Sequence, residues 1–131
     1  MPKELINPAA LYDGSVFGLS HGVASETLVF VSGQVDWDHS FQVRHASVGD
    51  QFKAALDNLR IVLEAAGSSV ERLLHVRIYV RGELEDQMAT LGPILGAFLG
   101  TSRPAVTGIG VASLASRATL VEVEAVARKD M

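Results

Sequence analysis

The sequence predicts a single α+β domain in which two helices pack on one face of a mixed β-sheet. Three observations predict this fold: two segments carry apolar residues at helical spacing, several others alternate apolar and polar residues, and strands both precede and follow each helix. The chain has 131 residues, of which 48% are hydrophobic, and no repeat or low-complexity linker divides it. We therefore expect residues 1–131 to form one domain around one core.

The predicted elements begin with a β-hairpin. Val and Phe residues from Ser15 to Val35 are interrupted by Gly22 and by the polar Ala24-Ser25-Glu26, which predicts two strands and a tight turn. The second of these strands is predicted at Thr27 to Val35. A polar turn follows, and the segment Phe41 to His45 is predicted to add an edge strand.

Two helices are predicted in the centre of the chain. Ser47 and Asp50 form an N-terminal cap, apolar residues then recur every three or four positions, and Gly67 ends the first helix as a left-handed cap. The second helix is predicted from about Glu83 to Leu99. A kink or break is expected at Gly92-Pro93, because proline lacks an amide proton and strains the preceding turn.

Three further strands are predicted at Leu73 to Val80, Ala105 to Val111 and Ala118 to Ala127. Alternation assigns each side chain of the first and last of these to one face of the sheet. In the last strand, Val121, Val123, Ala125 and Ala127 are expected to face the helices, and Leu120, Glu122, Glu124 and Val126 the reverse. In the strand at 73–80, the expected helix-facing residues are Leu74, Val76, Ile78 and Val80, and the reverse face carries Leu73, His75, Arg77 and Tyr79.

The reverse face of the sheet requires a partner, because two helices cover only one face. Its mixture of aliphatic, aromatic and charged residues favours a subunit interface, and a closed ring of identical chains would place the polar groups in semi-enclosed clefts. Two interpretations of Glu122 and Glu124 stay open. They pair with Arg77 or Arg81 as interface ion pairs, or at least one of them is a general acid or base that lines a cleft.

Glycines inside predicted strands are a second signal. Gly33 interrupts an apolar strand, and Gly108 and Gly110 interrupt the strand at 105–111. Such a glycine permits a bulge or the close approach of a ligand to backbone amides, and it equally permits a tight strand crossing with no ligand. Trp37, the only tryptophan, lies in a polar turn without basic neighbours, which favours a packed loop anchor over a stacking platform for bases.

Charge and composition argue against several functional classes. Eleven Lys and Arg against 15 Asp and Glu give a net charge of −4, so a nucleic-acid partner is not expected. Cysteine is absent, the four histidines lack zinc-ligand spacing, and no glycine-rich nucleotide loop is present, so neither a metal nor a cofactor is expected. No apolar run approaches the ~20 residues of a membrane span. The first residues also lack a signal-peptide pattern, and we expect a cytoplasmic protein that does not bind a membrane.

Five motifs in order resemble the Rid (YjgF) family. They extend over roughly Ser15 to Arg128 and consist of Val31-Ser32-Gly33-Gln34-Val35, Gln51 to Leu59 running into Val62 to Gly67, Tyr79-Val80, Arg103-Pro104-Ala105, and Val121-Glu122-Val123-Glu124-Ala125. The resemblance implies a chorismate-mutase-like α+β fold and a homotrimer with sheets inside, helices outside and three ligand clefts between subunits. It also implies that a small-molecule substrate, a reactive enamine or imine such as a 2-imino acid, is hydrolysed to a 2-keto acid and ammonia without a cofactor.

The resemblance also suggests roles for particular residues. Glu122 matches the glutamate that helps to position the attacking water, and it is our candidate catalytic residue. In this hypothesis, backbone groups near Gly33, Thr107 and Gly108 bind polar atoms of the substrate, and Tyr79 forms part of the cleft wall.

The sequence departs from the family at the expected carboxylate anchor. The resemblance implies an arginine directly after Pro-Ala, but this sequence has Val106 there. It also has Leu19 where the family has an aromatic residue, Gly108 where a cysteine is common and Gly92 where an asparagine is common. An arginine holds a carboxylate by two hydrogen bonds worth about 1.5–3 kcal/mol each. Its loss should weaken 2-imino acid binding by roughly tenfold to several hundredfold, unless another cation such as Arg103 replaces it.

Two alternative functions therefore stay open. The first is a trimer that binds a small molecule or regulates another process without catalysing the reaction, which the missing arginine favours. The second is ribonuclease activity or translation inhibition, which the resemblance also implies for some members. The acidic net charge and the absence of a histidine pair make the second alternative the weaker one.

Overall fold

A six-stranded mixed sheet lies at the centre of the structure, a computed structural model that describes residues 2–129. In chain order the elements are β1 (Glu4–Ile6), β2 (Gly22–Ser25), β3 (Leu28–Gln34), α1 (Val48–Ala65), β4 (Leu73–Arg81), α2 (Met88–Leu99), β5 (Ala105–Val111) and β6 (Val121–Arg128). The strand order is β1-β2-β3-β6-β4-β5, and only the β4–β5 pair is parallel. The predicted α+β class is confirmed. Met1, Asp130 and Met131, which belong to the predicted domain 1–131, lie outside the described residues.

Both helices cover the same face of the sheet and enclose the core with it. The side chains of α1 that recur at helical spacing are buried, as predicted, and Phe52 and Leu59 are fully enclosed. Ser47 Oγ accepts the Asp50 amide at 3.2 Å, and Gly67 follows the helix with a φ of 80°. The predicted limits of this helix are therefore confirmed.

The second helix runs without interruption through Pro93, where a kink or break was predicted, so the chain has no break at that position. Gly92 explains the difference, because it lacks the Cβ that would clash with the proline ring in helical geometry. The irregular geometry lies instead at the start of the predicted helix, where Leu84–Gln87 forms a 3₁₀ turn.

The N-terminal third contains three departures from the predicted elements. The first hairpin strand is only β2, because Gly14–Phe17 forms a 3₁₀ turn. The edge strand β1 was not predicted, since three residues carry no periodic pattern. The predicted strand Phe41 to His45 is absent apart from a single bridge between Val43 and Trp37.

Two aspartates explain why residues 41–45 do not form a strand. Asp38 accepts the amides of Ser40 and Gln42 at 2.8 and 3.0 Å, and the buried Asp36 accepts the amide of His45 at 2.8 Å. These carboxylates accept hydrogen bonds from main-chain amides that would otherwise donate to a neighbouring strand.

The faces of β6 follow the prediction, whereas those of β4 follow it only in part. A register shift against β6 lies between Leu73 and His75, so Leu73 is buried under the helices and Leu74 is exposed on the reverse face. The predicted faces of these two leucines are therefore wrong, because a bulge changes the alternation by one residue. From Val76 onwards the predicted alternation holds.

Candidate functional site

The face of the sheet that no helix covers carries two carboxylates on β6. Antiparallel pairing of β4 with β6 places Tyr79 opposite Glu122 and Arg77 opposite Glu124. Opposed residues of neighbouring strands share a face. Four polar side chains are therefore grouped on this face.

Glu124 is engaged by both neighbours on β4. It accepts a hydrogen bond from the Tyr79 hydroxyl, and its Oε1 lies 3.7 Å from Arg77 Nη1. The hydrogen bond to Glu124 is the main reason that the pKa of Tyr79 is raised, with desolvation contributing less. The ion-pair interpretation thus holds for Glu124 with Arg77.

Arg81 binds main-chain carbonyl groups. Its guanidinium donates to carbonyl groups of the loop 112–119, at 2.7, 3.1 and 3.4 Å. The interpretation in which Arg81 pairs with a β6 carboxylate is therefore wrong, because the loop's carbonyl groups take its donors instead.

Glu122 forms no ion pair within residues 2–129. Its side chain is partly buried, and this burial raises the pKa of its carboxyl, with the charge of Glu124 adding to the rise. The carboxylate lies directly against Gly33, where any Cβ would overlap it. Gly33 lies in the register shift of β3 against β6, so the glycine permits a bulge there. It also permits the Glu122 side chain to approach the main chain closely.

A buried polar network supports the Gly33 bulge from behind. The amide Nε2 of Gln34 lies 3.2 Å from both His21 Nδ1 and the Ser32 carbonyl. His21 Nε2 is 2.7 Å from the Tyr12 carbonyl, so the network requires a neutral histidine that donates from Nε2 and accepts at Nδ1. The main chain closes the network, because the Ser32 amide donates to the His21 carbonyl at 2.9 Å. No role for His21 or Gln34 was predicted from the sequence.

Tyr12 is a third residue whose place near the site was not predicted from the sequence. Its ring packs against Trp37 and Phe41, with ring centroids 5.4 and 5.5 Å apart. Burial is the main reason that the pKa of Tyr12 is raised, and the negative charge of Glu122 adds to the rise. Trp37 donates from Nε1 to Thr119 at 3.0 Å, which agrees with its interpretation as a loop anchor.

The predicted substrate-binding residues of β5 divide between the two faces of the sheet. Thr107 pairs with Arg77 and lies on the uncovered face, where its hydroxyl is 3.5 Å from His75 Nε2. Gly108 faces the helices, because a Cβ there would lie 2.9 Å from Leu84 Cδ2. Val106, two residues earlier, shares the helix-facing side with Gly108.

Leu19 and Arg103 lie in loops. Leu19 is exposed between the Gly14–Phe17 turn and β2. Arg103 precedes β5, and the β5 residue level with Tyr79 and Glu122 is Ile109. Ala105, where β5 begins, is four residues from that level, about 13 Å along the strand, and Arg103 lies beyond it in the loop. Within one chain, the structure therefore does not bring Arg103 to Glu122.

Residues 2–129 contain no group of three or more His, Asp or Glu side chains arranged to hold a metal ion. None of the helices in this range is long and apolar enough to cross a membrane.

The sequence and the fold are both similar to those of known proteins. The sequence is 30% identical over 129 residues to the mitochondrial protein mmf2 of Schizosaccharomyces pombe, covering 97% of this chain and 98% of that protein. It is 25% identical over 126 residues to the 2-iminobutanoate/2-iminopropanoate deaminase of Dermatophagoides farinae, covering 95% of each. The fold matches the crystal structure of RidA from the Antarctic bacterium Psychrobacter with a TM-score of 0.84 at 24% identity, covering 95% of this chain and 98% of that chain.

The family assignment follows from these matches and from the sequence motifs. A sequence model of the family described as Endoribonuclease L-PSP matches residues 14–129, which is nearly the whole chain. The span agrees with the range of motifs that carried the resemblance. The chain therefore belongs to the Endoribonuclease L-PSP family, which is the YjgF/Rid family.

Proposed function

We propose that this protein hydrolyses a reactive enamine or imine metabolite to a carbonyl compound and ammonia, with Glu122 as general base, at clefts between the subunits of a homotrimer. One observation carries the proposal. Glu122 is a partly buried carboxylate with a raised pKa and with no ion-pair partner among residues 2–129. A carboxylate of this kind is a stronger base than an exposed one, and a rigid strand holds it in place.

The reaction makes few demands on the protein. Glu122 would accept a proton from water while the water oxygen bonds to the imine carbon, and would pass that proton to the nitrogen to give a carbinolamine. Glu122 would then take the hydroxyl proton and return it to the nitrogen as the carbon–nitrogen bond breaks, which releases the carbonyl product and ammonia. The overall reaction consumes one water and requires neither an oxidant nor a cofactor, so positioning and proton transfer are sufficient.

The uncovered sheet face supports the placement of the site between copies. Phe30 and Leu74 are exposed there beside the polar group that contains Glu122. A second copy of the chain that covered this face would remove apolar surface from water and enclose the carboxylate. The name of the Dermatophagoides relative indicates the substrate class, because that protein is called an imine deaminase.

The direct test supplies freshly generated 2-iminobutanoate and 2-iminopropanoate and measures keto acid and ammonia against a control without protein. We expect acceleration by the purified protein and a loss of about 10²–10⁴-fold in the variant Glu122→Gln. Sedimentation should give a particle of three times the 13.9 kDa chain mass. An unaccelerated reaction refutes turnover of these 2-imino acids, full activity of the variant refutes the role of Glu122, and a monomer refutes the shared cleft.

A non-catalytic trimer that binds a small molecule is the second candidate. Val106 favours it, because the position after Pro104-Ala105 offers no cation to a carboxylate substrate. In that case a ligand would bind without any release of ammonia. RNA cleavage, which the family description suggests, is a weaker candidate for a chain of net charge −4, and metal-free RNase assays of the highly purified protein test it.

A further inference from the structure

A cavity of about 180 Å³ opens between β5, α2 and the 3₁₀ turn that precedes α2. Its nine lining residues are all aliphatic, aromatic, methionine or glycine, so no side chain in the lining carries a charge or a strong hydrogen-bonding group. The lining includes Leu84, Met88, Gly92, Leu95, Val106 and Gly108. We call this cavity the β5 pocket.

The size and lining of the β5 pocket restrict what it can hold. A cavity of ~150 Å³ lined by similar side chains stays dry and binds benzene. The β5 pocket is slightly larger and therefore matches a group of six or seven carbon atoms. A carboxylate placed there would lose its hydration without gaining a partner, which is strongly unfavourable.

The pocket is accessible from outside the chain. Met88 and Val106, which belong to its lining, are 57% and 42% exposed. The strand β5 is the last of the sheet, so the pocket opens beside a free edge of the molecule. Gly108 keeps the pocket open at its inner wall, because a side chain there would collide with Leu84.

The β5 pocket and Glu122 lie on opposite faces of the sheet. Gly108 pairs with Ile78 on the helix-facing side, whereas Glu122 pairs with Tyr79 on the uncovered side. A small ligand cannot contact both within one chain. It can do so only where the β5 edge of one copy meets the uncovered face of the next.

We propose that the β5 pocket binds a neutral apolar substituent of the substrate whose imine carbon lies at Glu122 of a neighbouring copy. The substrate class is then an imine or enamine with an aromatic or branched aliphatic group of six or seven carbon atoms. This assignment rests on the proposed function for the contact with Glu122. The pocket itself rests on the geometry of one chain.

Binding is tested first, with toluene as the neutral probe and benzoate as a charged probe of the same ring size. The amide signals of Leu95 and Gly108 should shift saturably with toluene, and benzoate should bind at least tenfold more weakly. Val106→Arg should weaken toluene binding and strengthen benzoate binding, and the isosteric Val106→Thr should weaken toluene binding alone. Leu5→Arg, which changes an exposed leucine on the far edge strand β1, is the matched control and should change neither.

Turnover is then compared for imines generated from phenylalanine and from alanine. We expect kcat/KM to be at least tenfold higher for the phenyl-bearing imine, and Val106→Arg should reduce this preference. Hydrolysis of both imines at equal efficiency, with no saturable toluene binding, overturns the β5 pocket and leaves the proposed function intact. Toluene binding without hydrolysis of either imine overturns the proposed function and the assignment of the occupant as substrate.

Discussion

Replacing Glu122 by glutamine should stabilise the protein near neutral pH while it abolishes hydrolysis. Burial and the charge of Glu124 raise the pKa of Glu122 in the folded chain. Below the pKa of the unfolded chain, both states hold the protonated carboxyl and no penalty exists. As the pH rises through the unfolded and then the folded pKa, the folded state loses stability relative to the unfolded one. Glutamine keeps the shape and removes the charge, so it removes this penalty.

The part of this penalty that comes from Glu124 can be worked from the geometry of β6, and desolvation of Glu122, the larger cause, adds to it. Glu122 and Glu124 are two residues apart on one strand face, which separates their charges by about 7 Å. At that distance the repulsion is about 0.6 kcal/mol in water and about 2.4 kcal/mol at an effective dielectric constant of 20. Solvent and salt screen part of it on this uncovered face, so we expect a gain of about 0.5–1 kcal/mol. For a chain of this length, the melting temperature should rise by about 2–5 °C.

Thermal unfolding followed by circular dichroism at pH 7.5 and at pH 4 measures this gain. The two proteins are compared at equal concentration, because assembly also contributes to the melting temperature. The gain should appear at pH 7.5 and vanish at pH 4, whereas turnover at pH 7.5 should fall by about 10²–10⁴-fold. A variant that is less stable at pH 7.5, or equally stabilised at both pH values, would refute the electrostatic argument.

Three further variants test the neighbourhood of the site and its support. Glu124→Gln removes the negative charge beside Glu122 and therefore lowers the pKa of Glu122. The rising limb of the pH–rate profile should move to lower pH, and a limb that stays in place contradicts this coupling. Gly33→Ala puts a methyl group where the Glu122 carboxylate lies and should reduce kcat/KM at least about tenfold, whereas Gly96→Ala, where a Cβ meets nothing within 4 Å, should leave it unchanged. Gln51→Leu removes the hydrogen-bond partner of three main-chain groups. It should lower the free energy of unfolding by about 2–5 kcal/mol in urea titrations. A loss below about 1 kcal/mol would show that these groups form other hydrogen bonds.

The parts of the fold that the sequence predicted correctly are those with a long periodic pattern. The helix α1 has a cap at each end and five turns of apolar repeat between them, and β6 alternates without a break. The failures occur where a single side chain or a single inserted residue decides the conformation. Asp36 replaces strand pairing in the loop before α1, and the bulge at Leu73 reverses the faces of two leucines. Neither the hydrogen bonds of Asp36 nor the bulge leaves a mark in the spacing of apolar residues along the sequence, so the periodic pattern could not predict them.

The candidate site was predictable only as far as local signals extend. The aliphatic residues that bracket Glu122 and Glu124 marked both carboxylates, and the family resemblance selected Glu122. Gly33 was marked as a glycine inside an apolar strand, but its contact with Glu122 depends on the register of β3 against β6. The parallel register of β5 likewise decides that Val106 and Gly108 face the helices, away from Glu122. Residues that the family resemblance groups into one site therefore lie on both faces of one sheet, and they do not form a single site within one chain. Hydrolysis by an isolated subunit, detected by activity at dilutions where sedimentation shows a monomer, would mean that Glu122 acts without the β5 pocket.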